Sequence, residues 1–292
     1  MEKKRDFFLV LLLLGCIWGS TFLFIRIGVR DIKPMTFTSL RLFIATLVFY
    51  IVLKLSGKDL RISKELIPLL ILTGIVDASI PHFLIAWGEQ YVESGVTSLI
   101  LATSPFFTLI IAHFLLQDEK ITMLKLFGIG IGFFGVFVLF YNHLTYSSKN
   151  LLVGEILILI ASIFYALGTI LIRKLSERMD FLKATFYFLL FGFVFSFPFV
   201  FILENPAASR LTISACLSVL YVGIVGSVLG YSIFFYLIDK TGATKSSQIG
   251  YITPIFATFL GVVFLKESFT INLLIGALLI LFGVYIVENS KT

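Results

Sequence analysis

Residues 119–136 read EKITMLKLFGIGIGFFGV, and residues 267–284 read ESFTINLLIGALLILFGV. At an offset of 148, Glu119-x-x-Thr122 falls on Glu267-x-x-Thr270, Gly128 on Gly276, and Phe134-Gly135-Val136 on Phe282-Gly283-Val284. An offset of 149 places Gly74-Ile75-Val76 on Gly223-Ile224-Val225 and Ser104-Pro105-Phe106 on Thr253-Pro254-Ile255. An offset of 147 pairs Trp18 with Tyr165 and Arg26 with Arg173. Single-residue gaps account for the drift, so the chain is a twofold repeat, with copies expected at 1–145 and 146–292.

Composition says what is being repeated. Of 292 residues, 59% are hydrophobic and 14% charged, and the mean hydropathy is +1.04. Soluble domains carry about 25% charged residues, so 40 charges are too few to cover a soluble fold of this size. Ten apolar stretches follow one another at 7–29, 35–53, 66–88, 94–116, 121–141, 151–172, 181–203, 213–238, 246–265 and 270–287. Each reaches roughly the 20 residues that a helix needs to cross a bilayer, and the longest connection, 54–65, has no room for a soluble domain. Leu9 to Leu14 is apolar on every side, which excludes the alternation of a membrane β-barrel. The expected fold is an all-α integral membrane protein of ten transmembrane helices. Five spans per copy is an odd number, so the second copy enters the bilayer from the opposite side. That makes an inverted-topology repeat, an architecture of secondary transporters.

Charge placement orients the bundle. With the N-terminus inside, 16 Lys and Arg fall on the cytoplasmic side and 5 on the other, while Arg26 and Arg41 lie within spans. Both termini are therefore expected in the cytoplasm. The basic residues sit in short clusters between apolar runs, which speaks against nucleic acid despite a formal charge of +6. Lys3-Lys4-Arg5 before an apolar run imitates a signal peptide, but the run to Val29 is too long and lacks a small-residue cleavage site, so it reads as an uncleaved first helix. Cys16 and Cys216 lie in apolar segments and read as packing residues.

Candidate site residues come from polar or helix-breaking groups where a bilayer disfavours them. Pro105 and Pro254 sit near the middle of spans 4 and 9 at matching places in the two copies. Each lacks an N–H, so the carbonyls of Leu101 and Gly250 should be freed, and matched interruptions at the midplane point to a substrate site. Packing kinks inherited through duplication are the other reading. Ser104, Tyr251 and Thr253 add polar groups nearby, as do Thr97, Ser98, Thr103 and the run Ser246-Ser247-Gln248. Asp77 is the twelfth residue of a 23-residue span, where a carboxylate costs about 2.5–3.5 kcal/mol on insertion scales. It is either a protonation switch or a structural carboxyl. His82, five residues on, reads as a proton relay, a substrate ligand or a packed, hydrogen-bonded side chain. Trp18 and Tyr165, paired by the repeat, are expected at the cavity. Arg41 and Arg26 are near enough to helix ends to snorkel, with carboxylate binding as the second reading of Arg41, and Glu89 and Glu93 read as a solvated acidic loop. The candidate substrate-binding set is thus Trp18, Asp77, His82, Ser104, Pro105, Tyr165, Tyr251, Thr253 and Pro254.

Three histidines, with no Cys, Asp or Glu at ligand spacing, give no support for a metal. HExxH, GxSxG and paired intramembrane aspartates are missing, so no enzyme is expected. A membrane scaffold or sensor would ordinarily add a soluble output domain. A nucleotide-sugar or sugar-phosphate exchanger would need buried Lys/Arg pairs, for which only Arg26 and Arg41 offer themselves.

These residues carry a resemblance. Trp18-Gly19-Ser20-x-Phe22, Leu40-Arg41-Leu42, Ala86-Trp87-Gly88-Glu89-Gln90, Thr103-Ser104-Pro105-Phe106-Phe107 and Gly128 to Val136 look like an EamA domain. Thr253-Pro254-Ile255-Phe256, Leu265-Lys266-Glu267 and Gly276 through Val284 repeat it, so the whole chain resembles an EamA-family member of the drug/metabolite transporter superfamily. The resemblance implies an inner-membrane carrier, often an exporter of amino acids or related metabolites, with drug efflux as another family activity. It implies alternating access around a cavity lined by spans 1, 3, 4, 6, 8 and 9, with spans 5 and 10 peripheral or between subunits. Its partners would be a small-molecule substrate, the lipid bilayer and protons as a candidate coupling ion, in a monomer or homodimer without cofactors. Asp77 stands where a small or amide residue is expected, and the first span lacks the buried carboxylate of the small multidrug-resistance relatives.

Overall fold

In hydrocarbon every backbone N–H and C=O must be satisfied within the chain, which leaves the helix as the form of each apolar stretch. The computed structural model describes residues 2–115, 121–146, 149–241 and 249–290. Among them are ten helical spans, each within one of the predicted stretches or a few residues longer. They are α1 (Glu2–Gly28), α2 (Pro34–Leu55), α5 (Met123–Tyr146), α6 (Lys149–Ser176), α7 (Phe181–Leu203), α9 (Ile249–Leu265) and α10 (Ile271–Asn289), with three interrupted spans. Span α3 runs through Ile67–Thr73, a π-helical stretch Gly74–Ser79, and Ile80–Gly88. Span α4 is Ser94–Leu101 followed by Ser104–Leu115. Span α8 runs through Ile213–Tyr221, a π-helical stretch Val222–Leu229, and Gly230–Thr241.

The repeated sequence features have structural work. Thr122 and Thr270, matched in the repeat, both cap: Thr122 Oγ1 accepts from Lys125 N (3.3 Å) at the start of α5, and Thr270 Oγ1 accepts from Leu273 N (3.1 Å) at the start of α10. Gly128 and Gly135 of α5 face Gly283 and Gly276 of α10. A Cβ on Gly128 would lie 2.9 Å from the Gly283 carbonyl, and one on Gly135 2.9 Å from the Gly276 carbonyl. Rising numbers on one helix meet falling numbers on the other, so α5 and α10 are antiparallel. Span α2 likewise packs on its own counterpart α7, with Phe43 against Phe193 (5.3 Å between ring centroids) and Tyr50 against Phe186 (6.2 Å). A pseudo-twofold axis therefore passes between these two pairs and inverts one repeat onto the other.

The remaining spans form two bundles exchanged by that axis: α1, α8 and α9 in one, and α6, α3 and α4 in the other. Each bundle combines spans of both repeats. At the end of the molecule remote from the chain termini, here the far end, polar contacts tie one repeat to the other. Glu204 accepts from Met35 N (2.8 Å), Thr36 N (3.0 Å) and the Thr36 hydroxyl (3.0 Å) over the N-terminus of α2. Glu267 does the same for α4, accepting from Ser94 N (2.9 Å), the Ser94 hydroxyl (2.8 Å) and Gly95 N (3.3 Å). Negative charge at a helix N-terminus meets unpaired N–H groups and the positive end of the dipole. At the near end Lys58 pairs with Asp180 (2.9 Å), and the Tyr187 hydroxyl donates to the Leu60 carbonyl.

One expectation is corrected. The two prolines do not interrupt their helices alike. Pro105 is the second residue of a new helical segment, where its missing N–H costs nothing, and α4 breaks at 102–103. Pro254 lies inside the unbroken α9. The neighbours differ: α1 presents Gly15 and Gly19 to α9, and a Cβ on Gly19 would be 3.0 Å from the Thr253 carbonyl, so the α1 backbone braces α9 at the proline. At an offset of 147 the counterparts on α6 are Ser162 and Ala166, and the Thr103 hydroxyl meets the Ser162 hydroxyl (3.3 Å) at the α4 break. The matched interruptions are instead the π-helical stretches of α3 and α8, on the repeated Gly-Ile-Val.

The glycine seam makes a stability prediction. A Cβ on Gly283 would sit 2.5 Å from the Gly128 carbonyl, whereas one on Gly130 meets nothing within 4 Å. In thermal unfolding of purified protein, Gly283→Ala is expected to destabilise by about 1–3 kcal/mol and Gly130→Ala to leave the midpoint in place.

Candidate functional site

The two π-helical stretches cross the middle of the bundle, each against a span of the other repeat. On α3, Asp77 is 5% exposed and packs on α6, where a Cβ on Gly168 would lie 2.2 Å from Asp77 Oδ1. On α8 the offset-149 counterpart of Asp77 is Gly226, which packs on α1, and a Cβ there would lie 2.5 Å from Thr21 Cγ2. The offset-147 counterpart of Thr21 is Gly168. The two crossings thus use the same geometry with large and small residues exchanged, carboxyl against glycine in one and glycine against threonine in the other. This gives Asp77 a definite seat: α6 leaves out a side chain where the carboxyl lies.

The rings beside these crossings obey the same symmetry. His82 meets Tyr165 edge-on at 6.2 Å, and Tyr231 meets Trp18 edge-on at 6.1 Å. His82 and Tyr231 are counterparts at 149, as Trp18 and Tyr165 are at 147. Trp18 Nε1 donates to the Gly226 carbonyl (3.2 Å) within the π-helical stretch. His82 is 2% exposed and thus packed, and its Nδ1 has no hydrogen-bond partner.

Arg41 completes the cluster and corrects a second expectation. It does not snorkel. The residue is 8% exposed, and its Nε donates to the Ser227 hydroxyl (3.2 Å) on the π-helical stretch of α8. The hydroxyl in turn donates to the Val222 carbonyl (3.1 Å), which fixes its orientation. Tyr165 and Tyr231 lie within electrostatic reach of both Arg41 and Asp77, yet the two charges form no ion pair with each other. One cation and one carboxyl are therefore held apart across two tyrosines. An arginine inside an apolar run, six residues from a span end, was the available sequence signal; its partner on the other repeat was not.

Glu89 is a third correction. Far from being a solvated loop residue, it is fully buried at the far end of α3. Arg26 donates to the Glu89 carbonyl and lies 3.7 Å from Glu267 Oε1. Of the other candidates, Ser104 and Pro105 are half-buried on α4, and Pro254 is buried on α9. The Thr253 hydroxyl turns back to the Ile249 carbonyl (3.0 Å). None of these four makes a hydrogen bond, ion pair or ring contact with the Arg41 cluster. The Tyr251 side chain and Ser246, Ser247 and Gln248 lie outside the described residues. Among the described residues, no group of three or more His, Cys, Asp or Glu is placed to hold a metal.

A family model described as the EamA-like transporter family matches residues 7–141 and 152–288, one match on each repeat. The chain is 30% identical over 269 residues to the uncharacterized transporter YoaV of Bacillus subtilis, covering 92% of each chain. It is 31% identical over 252 residues to the uncharacterized inner membrane transporter YedA of Escherichia coli, covering 84% of this chain and 78% of that one. A solved crystal structure, 17% identical, shares the fold with a TM-score of 0.68 over 97% of each chain.

The exchanged packing at the two crossings predicts non-additivity. Gly168→Thr alone drives a side chain into Asp77 and is expected to lower the unfolding midpoint. Combined with Asp77→Gly it recreates the Thr21–Gly226 arrangement, and the double variant is expected to recover at least about 1 kcal/mol of the loss.

Proposed function

Because the chain belongs to the EamA-like transporter family, a family of transporters and not of enzymes, we propose that it carries a small amphoteric metabolite, an amino acid or related compound, by alternating access between its two bundles. The substrate binds at the centre. Arg41 takes its carboxylate and Asp77 its ammonium group, with Tyr165, Tyr231 and Trp18 walling the site. The observation that carries this reading is the pair of buried, unpaired opposite charges between the repeats. Each is costly in hydrocarbon unless it faces a partner or a cavity, and a zwitterion satisfies both at once. A phosphate or sugar-phosphate ligand fits less well, because Arg26 already faces Glu267 and the Glu89 carbonyl, which leaves Arg41 as a single cation.

Direction follows from exposure. At the far end Ile25 of α1, Phe37 of α2, Ile85 of α3 and Ile100 of α4 are buried, as are Val29 and Val92 beside the spans. Towards the near end, Ser104, Phe107 and Thr108 are half-buried, Thr169 is exposed, and a Cβ on Gly250 would meet nothing. Glu204 and Glu267, which tie the two repeats together over the N-termini of α2 and α4, support closure of the far end. With the near end placed in the cytoplasm by its excess of Lys and Arg, this is an inward-facing state of an inner-membrane carrier, ready to load a cytoplasmic substrate for export.

The test is flux in proteoliposomes with labelled amino acids, compared with their amides and their deaminated acids. Asp77→Asn and Arg41→Gln are each expected to cut amino-acid flux at least about tenfold, the effect of losing about 1.4 kcal/mol of binding. Asp77→Asn should narrow the preference towards acids and Arg41→Gln towards amines. Wild-type flux in both variants would remove the central pair from recognition.

A further inference from the structure

The far-end contacts contain a carboxylate that the central site does not use. Glu89 is the residue after the last turn of α3, and it is 0% exposed. Neither of its carboxylate oxygens has a partner at good hydrogen-bond geometry, the Thr97 hydroxyl being the donor that faces it. Glu267 is the opposite case: its carboxylate accepts three hydrogen bonds from Ser94 and Gly95. Two buried carboxylates thus share one neighbouring guanidinium, Arg26, whose Nε lies 3.7 Å from Glu267 and whose Nη1 donates to the Glu89 backbone carbonyl. The groups facing Glu89 are Arg26 on α1, Arg41 on α2, Thr97 on α4 and Glu267 after α9. Burial lifts the Glu89 carboxyl well above the ordinary carboxylate range, Arg26 opposes the shift and Glu267 adds to it. A crevice of about 300 Å³ at the far end is lined by Arg26, Glu93, Glu155 and Ser268 among others, but not by Glu89, which stays sealed behind it.

The groups divide between the two bundles. Glu89 and Ser94 ride with α3 and α4, and Arg26 and Glu267 with α1 and α9. Opening the far end must lift Glu267 off Ser94 and Arg26 off the Glu89 carbonyl together, which exposes Glu89 to water. We propose that Glu89 is the proton-binding site of the far-end gate, protonated while the gate is closed and ionised into far-side water when it opens. On opening, the Glu89 O–H bond breaks, its proton passes to far-side water, and the carboxylate is hydrated. On closing, a proton from that water is taken up again. The inference rests on the alternating-access reading and names the proton as the ion that acts on it.

The sign follows from linkage. A group that binds its proton more tightly in the closed state favours closure in acid, and the preference is lost as pH rises through the closed-state value. The closed-to-open ratio should therefore change by up to about tenfold per pH unit for one proton.

The experiment is a distance measurement by double electron–electron resonance between spin labels at Arg30 and Asn150, both exposed at the far end, with Cys16 and Cys216 replaced by alanine. No substrate is needed, so failure to find an amphoteric substrate would count against the central site without touching this result. In wild type the short distance should gain population as the pH is lowered from about 8 to about 5. Glu89→Gln, which mimics the protonated side chain, should stay short at every pH, and Glu65→Gln, at an exposed carboxyl of the near end, should respond like wild type. Arg26→Gln, which removes the cation that opposes protonation of Glu89 in the closed state, should move the transition to higher pH and covers the case in which Glu89→Gln fails to fold. A wild-type distance indifferent to pH, an unaltered pH response in Glu89→Gln, or an unmoved transition in Arg26→Gln would overturn the proposal.

Discussion

Backbone-to-backbone contact at glycine is the interaction on which this molecule depends. Lipid tails are as apolar as leucine, so helices in a bilayer are held by close packing more than by hydrophobic exclusion. Backbone-to-backbone approaches of this kind join one repeat to the other: Gly128 with Gly283, Gly135 with Gly276, Gly74 with Gly192, Gly88 with Gly154, and Gly19 with α9. A side chain at any of them would meet backbone or a packed neighbour within 3 Å. The repeats therefore meet along smooth surfaces that are tight yet carry few interlocking side chains, as two bodies that rock against each other require.

Function sits where the symmetry between the repeats is broken. The two crossings share one geometry, but only one holds a carboxyl; Asp77 has Gly226 as its counterpart, and Arg41 falls near the pseudo-axis with the Ser227 hydroxyl as its partner. The far-end latch has its own departure. Gly261 leaves space for the Glu267 carboxylate, since a Cβ there would lie 2.1 Å from Oε2 and 2.6 Å from Ser94 Oγ. Its offset-149 counterpart is Ala112. Lys266, in the left-handed region at φ 56, turns the chain so that Glu267 returns over α9 and reaches α4; for a residue with a Cβ this conformation costs roughly 1–2 kcal/mol. The four-way junction of Lys266, Gly261, Glu267 and Ser94 thus builds a latch at the far end.

Much of this was legible in the sequence. Hydropathy located all ten spans because hydrocarbon allows no other form for such stretches, and the Glu-x-x-Thr and Phe-Gly-Val offsets revealed the repeat. Asp77, His82, Trp18 and Tyr165 stood out as polar or aromatic groups at midspan, and the structure brings these four to two adjacent crossings. What could not be read were partners supplied by the other repeat. Arg41 and Glu89 lie close to span ends in one dimension, so water seemed their natural neighbour, yet Ser227 binds Arg41 and the Glu267 carboxylate neighbours Glu89 from the other repeat. The π-helical stretches were hidden because Gly-Ile-Val is ordinary helix sequence. The unequal fates of Pro105 and Pro254 were readable in part, from Gly15 and Gly19 standing opposite Ser162 and Ala166 at the same offset.

The central claim is that closure of the far end and closure of the near end exclude each other, because the same two bundles make both. The most direct test places one label pair at each end, Arg30 with Asn150 at the far end and Leu9 with Lys174 at the near end, and compares wild type with Glu267→Gln. Removing the charge that holds Ser94 and Gly95 should lengthen the far-end distance and shorten the near-end distance together. A far-end distance that lengthens while the near end stays fixed or lengthens too would contradict the account.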